Sequence, residues 1–222
     1  MTSDQSLQVE REPSLFPVAL GLTLLAFLAF GLAAAGSPAR RARYTPLVSI
    51  HAILMSAWLI LWCVQARLAQ GGDLALHRRL GRASAFLVLP LVPISALVAV
   101  NFHREIGRTA TLVADLGLLV TFVPLYALAI WFVRQGRVDV HKRLLLVGTI
   151  AMISPALGRF TDVLALPRPT AVPIYLGLLI GVPLSYDLMS RGALHRASLA
   201  SVAFALVAFG AVIIVAVSTG EL

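Results

Sequence analysis

Charge is scarce in this chain: Asp, Glu, Lys and Arg make up 13 % of its 222 residues, where a soluble domain carries roughly a quarter. So few charges cannot clothe a water-facing surface, so the deficit points to a surface facing lipid. Cysteine is nearly absent. The single Cys63 lies inside an apolar run, which excludes an intramolecular disulfide and every cysteine-based metal motif. There is no P-loop, nucleophile elbow or HExxH, and the glycines form no dinucleotide fingerprint, so soluble-enzyme chemistry finds no support. Acidic residues are the scarcer sign, 10 against 18 Lys and Arg, for a net charge of +8. The basic residues sit in short loops between apolar runs. That placement is the pattern of membrane topology and no argument for nucleic acid.

What the chain has in abundance is apolar length: 59 % of it is hydrophobic, with mean hydropathy +0.90. A helix needs about 20 apolar residues to cross the hydrocarbon core. Seven segments meet or approach this, roughly Phe16–Ala35, Pro46–Leu68, Ala83–Val100, Thr111–Val133, Leu144–Phe160, Val172–Ser190 and Ser198–Val217. Breakers separate them at Gly36-Ser37-Pro38, Gly71-Gly72, Gln135-Gly136 and Pro167-Arg168-Pro169. The reading is an all-α integral membrane protein, one bundle of seven transmembrane helices over residues 16–217, with polar tails at 1–15 and 218–222. The N-terminal tail is acidic (Asp4, Glu10 and Glu12 against Arg11), unlike the basic start of a signal peptide, so the first run reads as a retained helix. Counting Lys and Arg on the two sides favours a cytoplasmic N-terminus, although Arg40-Arg41-Arg43 after the first helix prefers the reverse.

One stretch, Leu76-His77-Arg78-Arg79-Leu80-Gly81-Arg82, recurs as Val140-His141-Lys142-Arg143-Leu144 and more weakly as Leu194-His195-Arg196. Gln70-Gly71 and Asp73 precede His77 much as Gln135-Gly136 and Asp139 precede His141. A helical hairpin repeated three times after an extra first helix accounts for this. In that topology all three histidines share one side of the bilayer, each ending a loop at a helix N-terminus. The positive helix end and the adjacent arginines favour neutral imidazole, the metal-binding form. His77, His141 and His195, with His51 lining a site on the opposite side, are therefore cofactor candidates. His77 and His141 with Asp187 are the candidates for a zinc or iron ion. No two of these histidines have the i, i+3 or i, i+4 spacing of helical metal motifs, so any site depends on tertiary convergence. The alternative for the same basic loops is interfacial anchoring to anionic lipid headgroups.

Polar groups inside a span are costly unless paired. In the second segment His51, Met55, Trp58, Trp62 and Gln65 form one stripe about 21 Å long. It reads as a packing seam or as one wall of a cofactor pocket. Asp115 and Arg159 should lie at the depth of His51, so His51, Asp115, Arg159 and Gln65 are the expected buried polar cluster, as structural brace or as proton or substrate site.

His51, Trp58 and Gln65, the Leu76–Arg82 stretch, and Gly136-Arg137-Val138-Asp139-Val140-His141-Lys142-Arg143 running to Arg159 resemble a family of bacterial membrane proteins. Its members share an H-R-x-L-G-R loop and a later H-x-R-x-M segment; Leu145 stands here where the Met is often found. The likeness covers about residues 46–160 and implies a multi-pass protein of the bacterial inner membrane. A remoter similarity is to b-type transmembrane cytochromes of the ascorbate and ferric reductase kind, which hold haem between paired histidines. It implies at most one haem here, between His77 and His141, because the fourth segment has no histidine and His103 falls in a loop. The zinc-dependent membrane hydrolases of the ceramidase kind match less well, since the last segment lacks their His-x-x-x-His. Two functions follow as expectations: a haem- or metal-binding redox component, or a non-enzymatic carrier or assembly partner for an anionic solute, lipid headgroup or membrane protein.

Overall fold

The computed structural model describes residues 13–167 and 170–221. The acidic tail as far as Glu12, with Arg11, lies outside these residues, as does the Arg168-Pro169 pair of the expected breaker. The described chain is helical, with no strand. Its elements are α1 (Phe16–Ala35), the single turn α2 (Pro38–Arg41), α3 (Pro46–Gly71), α4 (Leu74–Ile106), α5 (Thr109–Arg134), α6 (Val138–Ala151), α7 (Ser154–Val163), α8 (Ala171–Leu176), α9 (Val182–Arg191) and α10 (Arg196–Ser218). A π-helical stretch, Gly177–Gly181, joins α8 to α9 into one span. Among the described residues six helices are long and apolar enough to cross a membrane, and α6 with α7 makes a seventh if that bent pair counts as one span. Large apolar side chains such as Phe86 (79 % exposed) and Ile214 (70 %) point outward, a surface suited to lipid and not to water.

Local chemistry sets the ends. Thr45 caps α3, its hydroxyl accepting the Val48 N–H at 3.4 Å, and Asp73 caps α4 by accepting the Leu76 N–H at 3.0 Å. The hairpin turns at Gly72, Gly136 and Gly192 all need positive φ (82°, 77° and 65°), where glycine avoids the Cβ clash. These turns join α3 to α4, α5 to α6 and α9 to α10, and the paired helices pack against each other. Helix α1 lies against α3 and α7, while α10 lies against α5 and α6. Helix α6 is the most enclosed element, with an unbroken buried run from Leu146 to Ala151. At Gly148 a Cβ would stand 3.4 Å from the Leu125 Cβ, so the glycine lets α5 and α6 approach closely.

Expected boundaries change in the third and fifth segments. The third segment begins at Leu74, so the His77 stretch occupies the first turns of α4 instead of a loop, and His103 sits in its last turn. Asp73 supplies the cap, and the long arginine side chains allow a helix to emerge from the apolar layer with its charges in water. Helix α4 also runs through Pro90 and Pro93, which a helix packed against neighbours tolerates. The fifth segment starts at Val138 and is broken: α6 and α7 meet at 41° across Met152 and Ile153. Pro155, in the first turn of α7, has no N–H to continue the helix and restricts the residue before it.

The far end of α10 is clamped to the start of α5. The Glu221 carboxylate accepts the Thr109 and Ala110 N–H groups at 2.9 and 3.0 Å, and Arg108 stands 3.8 Å away. Desolvation raises this carboxyl's pKa, but the Ala110 and Thr109 amides, the Thr219 hydroxyl and the Arg108 guanidinium outweigh it, holding the pKa below the usual glutamate value. A depressed carboxyl pKa means that the clamp is fully present above the unfolded-state value and is lost as pH falls through the folded one. Hydrogen exchange at the Thr109 and Ala110 amides should therefore quicken in that acid window in the wild type. In Glu221→Gln it should be faster at neutral pH and insensitive to pH beyond the intrinsic chemistry.

Candidate functional site

The three hairpin turns converge at one end of the bundle, and two groups of polar side chains meet there. The first is an ion-pair network. Arg143, on the buried face of α6, and Asp187, on α9, are both 0 % exposed and form a salt bridge, Nε to Oδ1, at 2.6 Å. Arg143 Nη1 also donates to the Asp139 carbonyl at 2.8 Å, and its guanidinium lies over the Tyr186 ring at 5.5 Å. The second oxygen of Asp187 accepts the His195 backbone N–H at 2.9 Å. His195 caps α10: its Nδ1 accepts the Ala197 N–H at 3.0 Å. The ring proton must therefore sit on Nε2, which donates to Asp139 Oδ2 at 3.0 Å. Helices α6, α9 and α10 are thereby tied together at this end of the bundle by groups that satisfy one another.

The second group is a pair of histidines held in the same way. His77 Nδ1 donates to the Gln65 carbonyl at 3.2 Å, and His141 Nδ1 donates to the Ala129 carbonyl at 2.9 Å. Each acceptor is twelve residues earlier, on the preceding helix of the hairpin. Each histidine is also the fourth residue of its helix, five beyond the positive-φ glycine. The two hairpins thus repeat one geometry as well as a sequence pattern. A carbonyl that holds Nδ1–H leaves the Nε2 lone pair free for a ligand, as in metal-binding histidines generally. The two rings lie close enough to interact electrostatically. Beside them, Gln65 Oε1 is buried without a hydrogen-bond partner among the described residues, and the Gln65 amide nitrogen is 3.4 Å from where a Cβ on Gly81 would stand.

The opposite end holds His51, Ser95, Asp115 and Arg159. Ser95 spends its hydroxyl proton on the Leu91 carbonyl at 2.6 Å, so His51 Nδ1 is the donor in the 3.0 Å contact between them. Arg159 acts electrostatically on both His51 and Asp115, donates to the Pro155 carbonyl at 3.0 Å and lies over Phe30 at 4.3 Å. Three of the four residues expected to cluster are therefore together. Gln65 is not among them: two turns beyond Trp58 on α3, it belongs with His77 at the hairpin end.

The candidate ligands separate by what their nitrogens already do. His77 and His141 each have an Nε2 with no hydrogen-bond partner among the described residues. His195 has both ring nitrogens engaged, and both Asp187 oxygens are taken by Arg143 and the His195 amide, so neither is placed as an extra ligand. Among the described residues no three His, Cys, Asp or Glu side chains gather as a metal site. Two residues went unrecognised as sequence: Arg143, the partner of Asp187, and Tyr126, whose hydroxyl donates to Ser84 at 2.7 Å because Ser84 already donates to the Gly81 carbonyl at 2.6 Å. Arg143 was open to detection, since it borders the apolar run Leu144–Phe160 on the side where Asp187, set inside another run, needs a cationic partner.

Comparison of the chain with family models, with curated proteins and with solved structures finds no match.

Proposed function

We propose that this membrane protein is a redox component that holds one haem between His77 and His141. The observation that carries the reading is the twin hydrogen bond: two neighbouring imidazoles, each oriented by a carbonyl twelve residues back, each with Nε2 open. The donor set favours haem over a bare ion. Two imidazoles are half the ligands that zinc commonly takes, whereas His77 and His141 together would be enough to hold a haem, which brings its remaining ligands with it. Arg78 and Arg79, exposed beside His77, supply counter-charge for carboxylates at the water boundary. A haem held there would supply one-electron transfer. The chain's own share is to fix the two ring planes, and the Arg143–Asp187 network steadies α6, on which His141 rides.

A second reading, a non-enzymatic carrier or assembly partner, draws on the break between α6 and α7, where the Thr149 hydroxyl is buried without a partner among the described residues. Broken spans with unpaired polar groups are a transporter feature. One experiment separates the two: the absorption spectrum and metal content of detergent-purified protein, before and after dithionite. A Soret band that shifts on reduction, at about one haem per chain, is the expected result. Folded protein with neither haem nor iron, including after incubation with haemin, overturns the redox reading and leaves the carrier.

A further inference from the structure

We infer that the cleft between α5, α6 and α10 at the hairpin end is a binding site for an anionic phospholipid; this does not rest on the haem reading. The cleft has a volume of about 280 Å³ and opens to the outside of the bundle. Its walls are Leu128 and Phe132 on α5, Val140 and Leu144 on α6, and Ala197 and Ala200 on α10. That apolar lining matches an acyl chain.

Its mouth is polar and of one dominant sign. Arg137, before α6, and Arg196, the first residue of α10, both line it and both have exposed side chains. Arg137 is further held over the Phe132 ring at 4.9 Å. The nearby carboxylate, Asp139, accepts the His195 Nε2–H and also lies within electrostatic reach of Arg137, so one negative charge stands against two positive ones, and His195 itself lines the cleft. Two guanidiniums face the mouth at the start of a 23-residue helix, whose first N–H groups add positive potential. A phosphodiester satisfies such a mouth while its chains occupy the apolar walls. A neutral amphiphile leaves the arginines unused, and a free anion leaves the walls unused, so charge complementarity and lining together select the lipid.

The test is lipid retention measured by native mass spectrometry on protein extracted from vesicles of equimolar phosphatidylglycerol and phosphatidylcholine. The wild type should keep phosphatidylglycerol preferentially. Arg137→Gln/Arg196→Gln should lose about 30-fold of that preference, roughly fivefold per arginine, with its melting temperature little changed because both side chains are exposed. Arg67→Gln/Arg82→Gln, an equal loss of charge at exposed side chains outside the cleft, should keep it. Ala200→Trp, which fills the cleft and leaves both arginines, should lose bound lipid. An unchanged preference in the first variant, or an equal fall in the second, overturns the proposal in favour of diffuse surface attraction. Displacement of the lipid by glycerol 1-phosphate at matched concentration would make the site one for soluble anions, and equal retention of an uncharged quinone would make it one for neutral amphiphiles; either result also overturns it.

Discussion

Asp187→Asn should destabilise the protein by about 3–5 kcal/mol, the usual cost of removing one partner from a buried ion pair. Arg143 is 0 % exposed and has its Nε 2.6 Å from the Asp187 carboxylate, so the variant strands a guanidinium in an apolar layer. It also weakens the acceptor of the His195 amide, the bond that joins α9 to the start of α10. Arg143→Met should cost a similar amount for the converse reason, an unpaired buried carboxylate. The double variant Arg143→Met/Asp187→Leu should recover most of the loss, because two apolar side chains of comparable length need no partners. Reversible unfolding in mixed micelles, run on the wild type, Arg143→Met, Asp187→Leu and the double variant as a double-mutant cycle, reads the coupling directly. Single variants within about 1 kcal/mol of wild type would show that the pair does not hold these helices together.

The second large effect is spectroscopic. His77→Ala and His141→Ala should each abolish the bis-imidazole haem spectrum, while His51→Ala and His195→Ala should retain it. His195→Ala is the sharper control. It removes the cap of α10 and the Asp139 contact, for a cost of about 1 kcal/mol, so a spectrum that survives it is insensitive to modest destabilisation at the same end of the bundle. Added imidazole should restore the bands in His141→Gly, an outcome that a purely structural histidine would not give. Loss of the spectrum in His195→Ala with retention in His77→Ala would move the ligand assignment to another pair.

The helical, membrane-embedded character was legible from the residues, because lipid solvation constrains composition strongly over each stretch of about twenty residues. The hairpin repeat was legible for the same kind of reason: Gly, Asp and His recur at similar offsets, and each type has a local task as turn, cap or first-turn side chain. Boundaries were less so. The His77 stretch looks like a loop by charge, yet arginines reach water from within a helix, so polarity marked the membrane surface and not the helix end. The break in the fifth segment was written in Ser154-Pro155, but a proline alone does not say whether a helix bends or runs on, as Pro90 and Pro93 in α4 show.

Partner choice was the part that one-dimensional reasoning reached least. The nearness of Arg159 to Asp115 and His51 is reached by asking which polar groups share a depth, and the same question would have joined Arg143 to Asp187. Gln65 was placed with His51 because they share a helix stripe, but a stripe of about 21 Å spans two sites. Composition and periodicity were enough to decide that this chain is a helical membrane bundle and which side chains are expensive to bury, since both follow from transfer of residues out of water. Which histidine keeps an open nitrogen was decided by tertiary structure alone. Four ring nitrogens of similar chemistry differ only in the carbonyl, hydroxyl or carboxylate that each one meets, and those partners lie 12 to 56 residues away along the chain.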